Sequence, residues 1–366
     1  MRKRWAALGV GLVFALVAAE ITLRVSGVAT LHLNPLSGFH NSDERLGWVG
    51  APSYTGRFRQ PEFDVRIEHD EEGFRRPAEA FRGAADAPQV VFLGDSFTWG
   101  WGVASGATFV DRVQAAVGDA TQVRNRGVNG YGTTQHLVLL RERVLELRPR
   151  AVTLMFCEND VTDCVDVKKG RRPWAELDGG EVVLRNLPVE QRMVGWWPQL
   201  RRKSKALSLL TYQFDVLSAK WKQMTKGKPV YAADDEAVTM SPWREPRPSW
   251  DVCAALLGEI AQVCAEQQPP VEMRLVYIPV LSDAVGPEPD PASPGRLQNR
   301  LAATCAAHGI RYLDLTPAFR SVIEAHQRDG GDAPGEPLFF PGDGHWSEEG
   351  HALAAEQLLQ AFAWRF

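Results

Sequence analysis

Gln89-Val90-Val91-Phe92-Leu93-Gly94-Asp95-Ser96-Phe97-Thr98 is the stretch on which the fold turns. Gln89 to Leu93 reads as a short, nearly continuous apolar run, the pattern of a strand covered on both faces. Gly94 and Asp95 then break the run, and a serine follows. A serine there stands on a strand-to-helix turn, at the carboxyl end of its strand. Its hydroxyl is a poor nucleophile until a base removes the proton, so a reactive Ser96 calls for a histidine brought from elsewhere. Gly94 permits the close backbone approach such a turn needs. Alone the triplet says little, because Asp and Ser are ordinary turn residues.

The same pattern recurs outward from this point. Val152 to Phe156 and Met273 to Ile278 read as further covered strands, with weaker candidates at Val123 and at Ile310 to Leu315. Between them, Thr108 to Val117, Thr134 to Leu147, Val252 to Cys264 and Leu353 to Phe362 carry apolar residues at three- and four-residue intervals. Strands alternating with helices predict an α/β fold, a parallel sheet with helices on both faces. Ligands bind such sheets at the carboxyl ends of the strands, so polar motifs just after strands are the ones to examine.

Three such motifs accompany Gly94-Asp95-Ser96. Asn125-Arg126-Gly127-Val128-Asn129-Gly130-Tyr131-Gly132 follows the second strand, and Cys157-Glu158-Asn159-Asp160 follows the third. Gly342-Asp343-Gly344-His345-Trp346-Ser347 leads into the last helix. In this order they resemble the blocks of the SGNH (GDSL-type) hydrolase family, over roughly residues 88 to 165 and 270 to 362. The resemblance implies a three-layer, flavodoxin-like sandwich. It also implies Ser96 as nucleophile, His345 as base and Asp343 as the carboxylate that orients the imidazole. The N–H groups of Ser96 and Gly130 and the side-chain amide of Asn159 would form the oxyanion hole. Two positions depart from the family pattern. Cys157 stands where its third block has glycine, and Asp343 lies two residues before His345 where the family has three. His351 reads as a packing or capping residue, and Asp95 and Asp160 as loop-building carboxylates. Trp99, Trp101 and Trp346 read either as pocket walls or as core.

Composition narrows the function classes. The 366 residues are 45% apolar and 23% charged, enough for a buried core and unlike a disordered chain. Forty-one Lys and Arg against 45 Asp and Glu leave a net charge of -4, without the basic excess of a nucleic-acid binder. The five cysteines have no zinc-finger spacing and read as buried thiols, although Cys157 and Cys164 lie close enough in sequence to be bridged outside the cytosol. No metal or organic cofactor is called for.

The N-terminus points to a membrane. Arg2-Lys3-Arg4 precedes an uncharged run from Trp5 to Ala19, then Glu20 and Arg24. Basic residues ahead of an apolar run place the bulk of the chain outside the cytoplasm. The run is short of the ~20 residues of a spanning helix, and extension to Val28 supplies the length. The rival reading is a cleaved secretory signal, since Val17 and Ala19 suit the small-residue cleavage pattern. Asp43 to Trp48 and Gly73-Phe74-Arg75 resemble the lead-in of bacterial, membrane-anchored family members. The expected organisation is therefore an anchor or signal at 1–28, a lead-in at 29–85 with one strand at Asp64 to Glu68, and a hydrolase domain at 86–366. An insertion at about 165–250 holds six of the 12 tryptophans, and its stretch from Leu200 to Lys228 reads as a basic amphipathic helix.

The function expected is a serine esterase cleaving a carboxylic ester through an acyl-enzyme. Its substrate would be an ester-bearing small molecule, lipid or glycan, at a bacterial inner membrane and facing outward. The same residues could serve an O-acyltransferase acting on envelope polysaccharide. A third reading is a non-catalytic binding or assembly protein on the same scaffold. Oligomeric state is not legible in the sequence.

Overall fold

A computed structural model describes residues 17–25, 39–60, 62–165, 170–190, 248–286, 296–331, 335–340, 342–364 and 366, with residues 11, 14, 15, 204, 206 and 207 besides. The chain divides into two compact units, a smaller one from Met1–Ser37, Arg57–Asp64 and Arg192–Ser241 and a larger one from Gly38–Gly56, Val65–Gln191 and Pro242–Phe366. In the smaller unit residues 17–25 are helical, and Glu20 accepts hydrogen bonds from Ser204 Oγ and the Ala206 N–H, both at 2.9 Å. Among the described residues no helix is long and apolar enough to cross a membrane. Residues 1–10 and most of the Leu200 to Lys228 stretch lie outside the described residues.

The larger unit begins with short strands, not the single strand expected. β1 (His40–Asp43) and β2 (Gly47–Gly50) form one antiparallel pair. β3 (Thr55–Gln60) and β4 (Phe63–Glu68) form a second two-stranded sheet, and its tip, where Arg57 and Arg59 pair with Asp64, is counted with the smaller unit. Then follow β5 (Gln89–Gly94), α1 (Ser96–Trp99), α2 (Phe109–Val117), β6 (Gln122–Gly127) and α3 (Thr133–Leu139), which runs on through a π-turn at Leu140–Val144. Next come β7 (Ala151–Phe156), α4 (Asp160–Asp163) and the antiparallel hairpin of β8 (Trp174–Asp178) and β9 (Glu181–Arg185). The chain ends with α5 (Pro248–Ala265), β10 (Glu272–Tyr277), α6 (Leu281–Val285), α7 (Leu297–Ala307), β11 (Arg311–Asp314), α8 (Thr316–Arg328) and α9 (Glu348–Ala361).

The central sheet has five strands in the order β6-β5-β7-β10-β11, all parallel, with Leu93 opposite Arg126 on one side and Leu154 on the other. This is the flavodoxin-like order, with β5 at the switch point where the chain winds outward in both directions. The period-two alternation of the strands builds two cores. Val91, Leu93, Val152, Leu154 and Leu275 join one cluster with Leu137, Leu256, Ile260, Leu297 and Leu301 of α3, α5 and α7. Val90, Phe92, Met155 and Val276 join the other with Phe109, Val113, Phe319, Ile323, Ala354 and Leu358 of α2, α8 and α9. Helices therefore cover both faces, in three layers. All five cysteines are free and buried.

The lead-in is stitched to this sheet through polar contacts. Arg143 reaches Asp43 at 2.7 Å, Gln135 Nε2 donates to the Leu46 carbonyl at 2.7 Å, and the Tyr131 hydroxyl donates to the Trp48 carbonyl at 2.5 Å. Buried Arg75 donates to the carbonyls of Gly100 and Val103, at 3.2 and 2.7 Å, and so braces the chain just after α1. Buried donors and acceptors seldom go unpaired, and here the segment takes up groups that the sheet's own loops leave open.

Candidate active site

β5 ends at the switch point, and its C-terminal turn carries Ser96. Asp95 caps α1, accepting from the Phe97 N–H at 2.9 Å, and Ser96 is the first helical residue. The short helix stops at Gly100, whose φ of +89° is left-handed and suits glycine. A Cβ on Gly94 would lie 2.0 Å from Thr98 Oγ1 and 3.1 Å from Met155 Cβ, so the close packing of this turn requires its glycine.

The end of β6 and the loop after it are fastened to the same turn. Asn125 Nδ2 donates to the Thr98 carbonyl at 2.7 Å, its Oδ1 accepts from the Gly127 N–H at 2.9 Å, and the Val128 N–H reaches the Gly94 carbonyl at 3.0 Å. Gly130 follows with φ +72°, and Trp48 of β2 donates through Nε1 to the neighbouring Asn129 carbonyl at 3.0 Å. On the other side of β5, the turn after β7 is closed by the Asp160 N–H on the Cys157 carbonyl at 3.0 Å and by the Cys157 N–H on Asp160 Oδ2 at 2.9 Å. Cys157, in the position where glycine was the expectation, is buried among Met155, Val276 and their neighbours, while Asn159 is exposed. Gly130 and Asn159 thus lie on the loops of the two strands flanking β5, at the same carboxyl edge as Ser96.

The remaining two residues come from the loop ahead of α9. The Phe340 N–H bonds the His345 carbonyl and the Gly344 N–H bonds the Phe340 carbonyl, both at 2.8 Å, and Gly344 turns the chain with φ +83°. His345 Nε2 lies 2.8 Å from Ser96 Oγ. On its other side, ring Nδ1 is in short contact with Asp343 Oδ1, which also accepts the His345 main-chain N–H at 3.3 Å. The two-residue spacing therefore reaches the imidazole. Ser96, His345 and Asp343 form one chain of contacts.

Two aromatic residues, Trp101 and Phe97, lie against that imidazole. Trp101 donates through Nε1 to Asp343 Oδ2 at 3.0 Å and stacks on the imidazole, with centroids 5.1 Å apart at 23°. Phe97 lies 4.8 Å from the same ring. Trp99 and Trp346 are buried core residues, so of the three tryptophans only Trp101 lines the site. Its role is not legible locally, because its contact with Asp343 spans 242 positions.

Electrostatics separates the carboxyls. Burial would raise Asp343, but the hydrogen bond and charge of His345 and the Trp101 N–H hold it below the ordinary carboxylate range. Burial pushes Asp95 up to about 6 and, with the Asp283 charge behind it, Glu158 up to about 7. Asp160, wholly buried, lies well above its usual value for the same first cause. His351 is a core residue, stacked on Phe109, accepting its N–H at 3.3 Å and pushed down to about 3 by burial. A basic nitrogen beside a hydroxyl, oriented by an ionised carboxylate, is an arrangement that can draw off the hydroxyl proton. Among the described residues no group of three His, Cys, Asp or Glu could hold a metal ion.

Residues 92–353 match the GDSL-like Lipase/Acylhydrolase family. A search of the curated proteins finds no match. Among solved structures, the chain is similar to an acetyl xylan esterase, AlAXEase, at 12% identity and a TM-score of 0.42, covering 75% of this chain and 100% of that one. A catalytic mutant of Axe2, an acetylxylan esterase from Geobacillus stearothermophilus, aligns at 17% identity and a TM-score of 0.40, covering 78% and 99%. A lipolytic protein of the G-D-S-L family from Veillonella parvula aligns at 14% and 0.37, covering 75% and 98%. The family match takes in more than half of the chain and encloses Ser96, Gly130, Asn159, Asp343 and His345, and the chain belongs to the GDSL-like lipase/acylhydrolase family, as an enzyme that hydrolyses ester bonds.

Proposed function

We propose that the chain is a serine esterase that cleaves a carboxylic ester through an acyl-enzyme on Ser96. The observation that carries the reading is the unbroken contact from Ser96 Oγ through His345 to Asp343. His345 Nε2 takes the hydroxyl proton as Oγ attacks the ester carbonyl, and Asp343 steadies the imidazolium that results. Negative charge gathers on the carbonyl oxygen, where the N–H groups of Ser96 and Gly130 and the Asn159 amide would meet it. The C–O bond breaks as His345 passes its proton to the departing alcohol. Water, deprotonated by the same imidazole, then frees the acid and restores Ser96.

The test is hydrolysis of p-nitrophenyl acetate by the full chain and by Ser96→Ala, with a fluorophosphonate probe as a second readout. The expected result is labelling at Ser96 and loss of turnover in the variant. Equal turnover in both would overturn the assignment, and a silent probe would favour a binding role. Adding a polysaccharide acceptor separates hydrolysis from acyl transfer, which uses the same three side chains.

The basic residues 2–4 ahead of an apolar run support a tether that holds the domain on the outer side of a bacterial inner membrane. Retention in the membrane pellet after an alkaline carbonate wash is the expected outcome. Release into the wash would replace the tether with a cleaved signal.

A further inference from the structure

The geometry points to Trp101 as a positioning residue, one that holds the Asp343 carboxylate and the His345 ring in the attitude that activates Ser96. This rests on the function proposed above and adds a residue to it. Trp101 touches both partners of the serine at once, through Nε1 on Asp343 Oδ2 at 3.0 Å and through its ring face on the imidazole at 5.1 Å. It is also tied to the nucleophile's own turn, since its N–H reaches the Ser96 carbonyl at 3.1 Å just past the left-handed Gly100. One indole therefore spans the gap between the turn that carries the nucleophile and the loop that carries the base.

The spacing of the loop explains why such a brace is needed. With Asp343 only two residues before His345, its Oδ1 serves both the ring Nδ1 and the main-chain N–H of the same residue. Rotation about the terminal bond of an aspartate is soft and roughly two-fold, so two bonds to one oxygen leave the plane of the carboxylate loosely set. The indole N–H on Oδ2 sets it. The face-on ring acts in the same direction during reaction, because an imidazolium over an indole face is favoured by the ring quadrupole while a neutral imidazole gains less. Core filling does not account for the residue. Trp101 is only partly buried, whereas Trp99 and Trp346 are enclosed.

Two variants of the full chain separate the two contacts. Trp101→Phe keeps a stacking ring and loses the donor, and Trp101→Leu loses both. Thermal midpoint, kcat and KM on p-nitrophenyl acetate, and the rate of fluorophosphonate labelling at Ser96 are measured for each. Loss of a hydrogen bond to a charged group predicts a fall of about ten-fold in kcat and in labelling rate for Trp101→Phe, and a larger one for Trp101→Leu. KM should stay within about two-fold, since orientation of the base affects the chemical step and not ground-state binding. Wild-type kcat and labelling in both variants would overturn the inference. So would a raised KM at unchanged kcat, which would make Trp101 a substrate contact, or losses that simply follow a lowered midpoint. Equal turnover in Ser96→Ala and the unaltered chain is a different failure, since it removes the proposed function and this inference with it.

Discussion

Asp343 reaches His345 from two residues upstream, and one of its oxygens, Oδ1, serves both the ring Nδ1 and the main-chain N–H of that histidine. The turn at Gly344, with φ +83°, folds the chain so that both side chains leave it on the same side. A residue other than glycine there would have to adopt a left-handed conformation, at a cost on the order of 1 kcal/mol. In the proposed mechanism the carboxylate selects the tautomer with hydrogen on Nδ1. Asp343→Asn offers an amide in its place and permits the wrong tautomer. A fall in kcat on the order of 10⁴-fold, with an unchanged thermal midpoint, is therefore expected from steady-state kinetics on p-nitrophenyl acetate. Retention of more than a tenth of the activity would mean that Asp343 only shapes the loop.

Asn159 occupies the first position past Glu158 on the exposed rim of the turn after β7, and its neighbour Asp160 is wholly buried. Asp160 closes the turn through the Cys157 N–H, while Asn159 stays exposed, as the proposed oxyanion role requires. Asn159→Ala should lower kcat on the order of 100-fold while the protein keeps its thermal midpoint, as removal of one oxyanion donor does elsewhere. A variant with normal kcat and a lowered midpoint would reassign Asn159 to the loop.

Much of this was legible in the sequence because the decisive signals are local. A strand such as Gln89–Gly94, covered on both faces, needs a continuous apolar run, and a serine just past it can only lie at the sheet's carboxyl edge. Asp343 and His345 stand out only through the resemblance of Gly342 to Ser347 to the last block of the family, since a lone histidine ahead of a helix is ordinary. What escaped was long-range or weakly periodic. Trp101 meets Asp343 across 242 positions, and nothing near either residue reports the other. α7 buries Leu297, Leu301 and Cys305 on an otherwise small and polar helix, too sparse a stripe to read. α8 was more accessible, since Pro317 in its first turn is a helix-start signal and Phe319 and Ile323 are one turn apart. The strands of the lead-in are short and rich in charge, and their partners Arg143, Gln135 and Tyr131 belong to the catalytic domain.

Gly127 sets how closely β6 approaches the nucleophile turn. A Cβ there would lie 2.5 Å from the Trp99 nitrogen and 2.8 Å from the Thr98 carbonyl carbon, main-chain atoms that cannot swing aside. Gly127→Ala should therefore push α1 away from β6 and strain the Asn125 bond to the Thr98 carbonyl. The expected cost is about 1–3 kcal/mol in chemical denaturation, with a loss of kcat larger than the stability change explains, because Ser96 rides on the displaced turn. A variant that loses stability but keeps full kcat would show that the turn absorbs the shift without moving the serine.

Glu158 contributes a stabilising increment that fades as pH rises toward neutrality. Burial first, and the Asp283 charge second, push its carboxyl from the ordinary 4.5 up to about 7. Between those two values the folded state keeps a proton that the unfolded chain has released. Because the native state holds the extra proton at this site, the Glu158 contribution to the unfolding free energy declines with rising pH across that window and levels off above it. Buried His351, pushed down to about 3, contributes a slope of opposite sign that is common to both proteins. Glu158→Gln removes this ionisation, so the variant should match the unaltered protein near pH 4.5 and exceed it above pH 7, by on the order of 2 kcal/mol. Asp95, pushed up to about 6 mainly by burial, contributes a slope of the same sign that remains in both proteins. Urea midpoints measured from pH 4.5 to 8 check the difference. Parallel curves for the two proteins would mean that the Glu158 carboxyl is solvated well enough to ionise at its ordinary value.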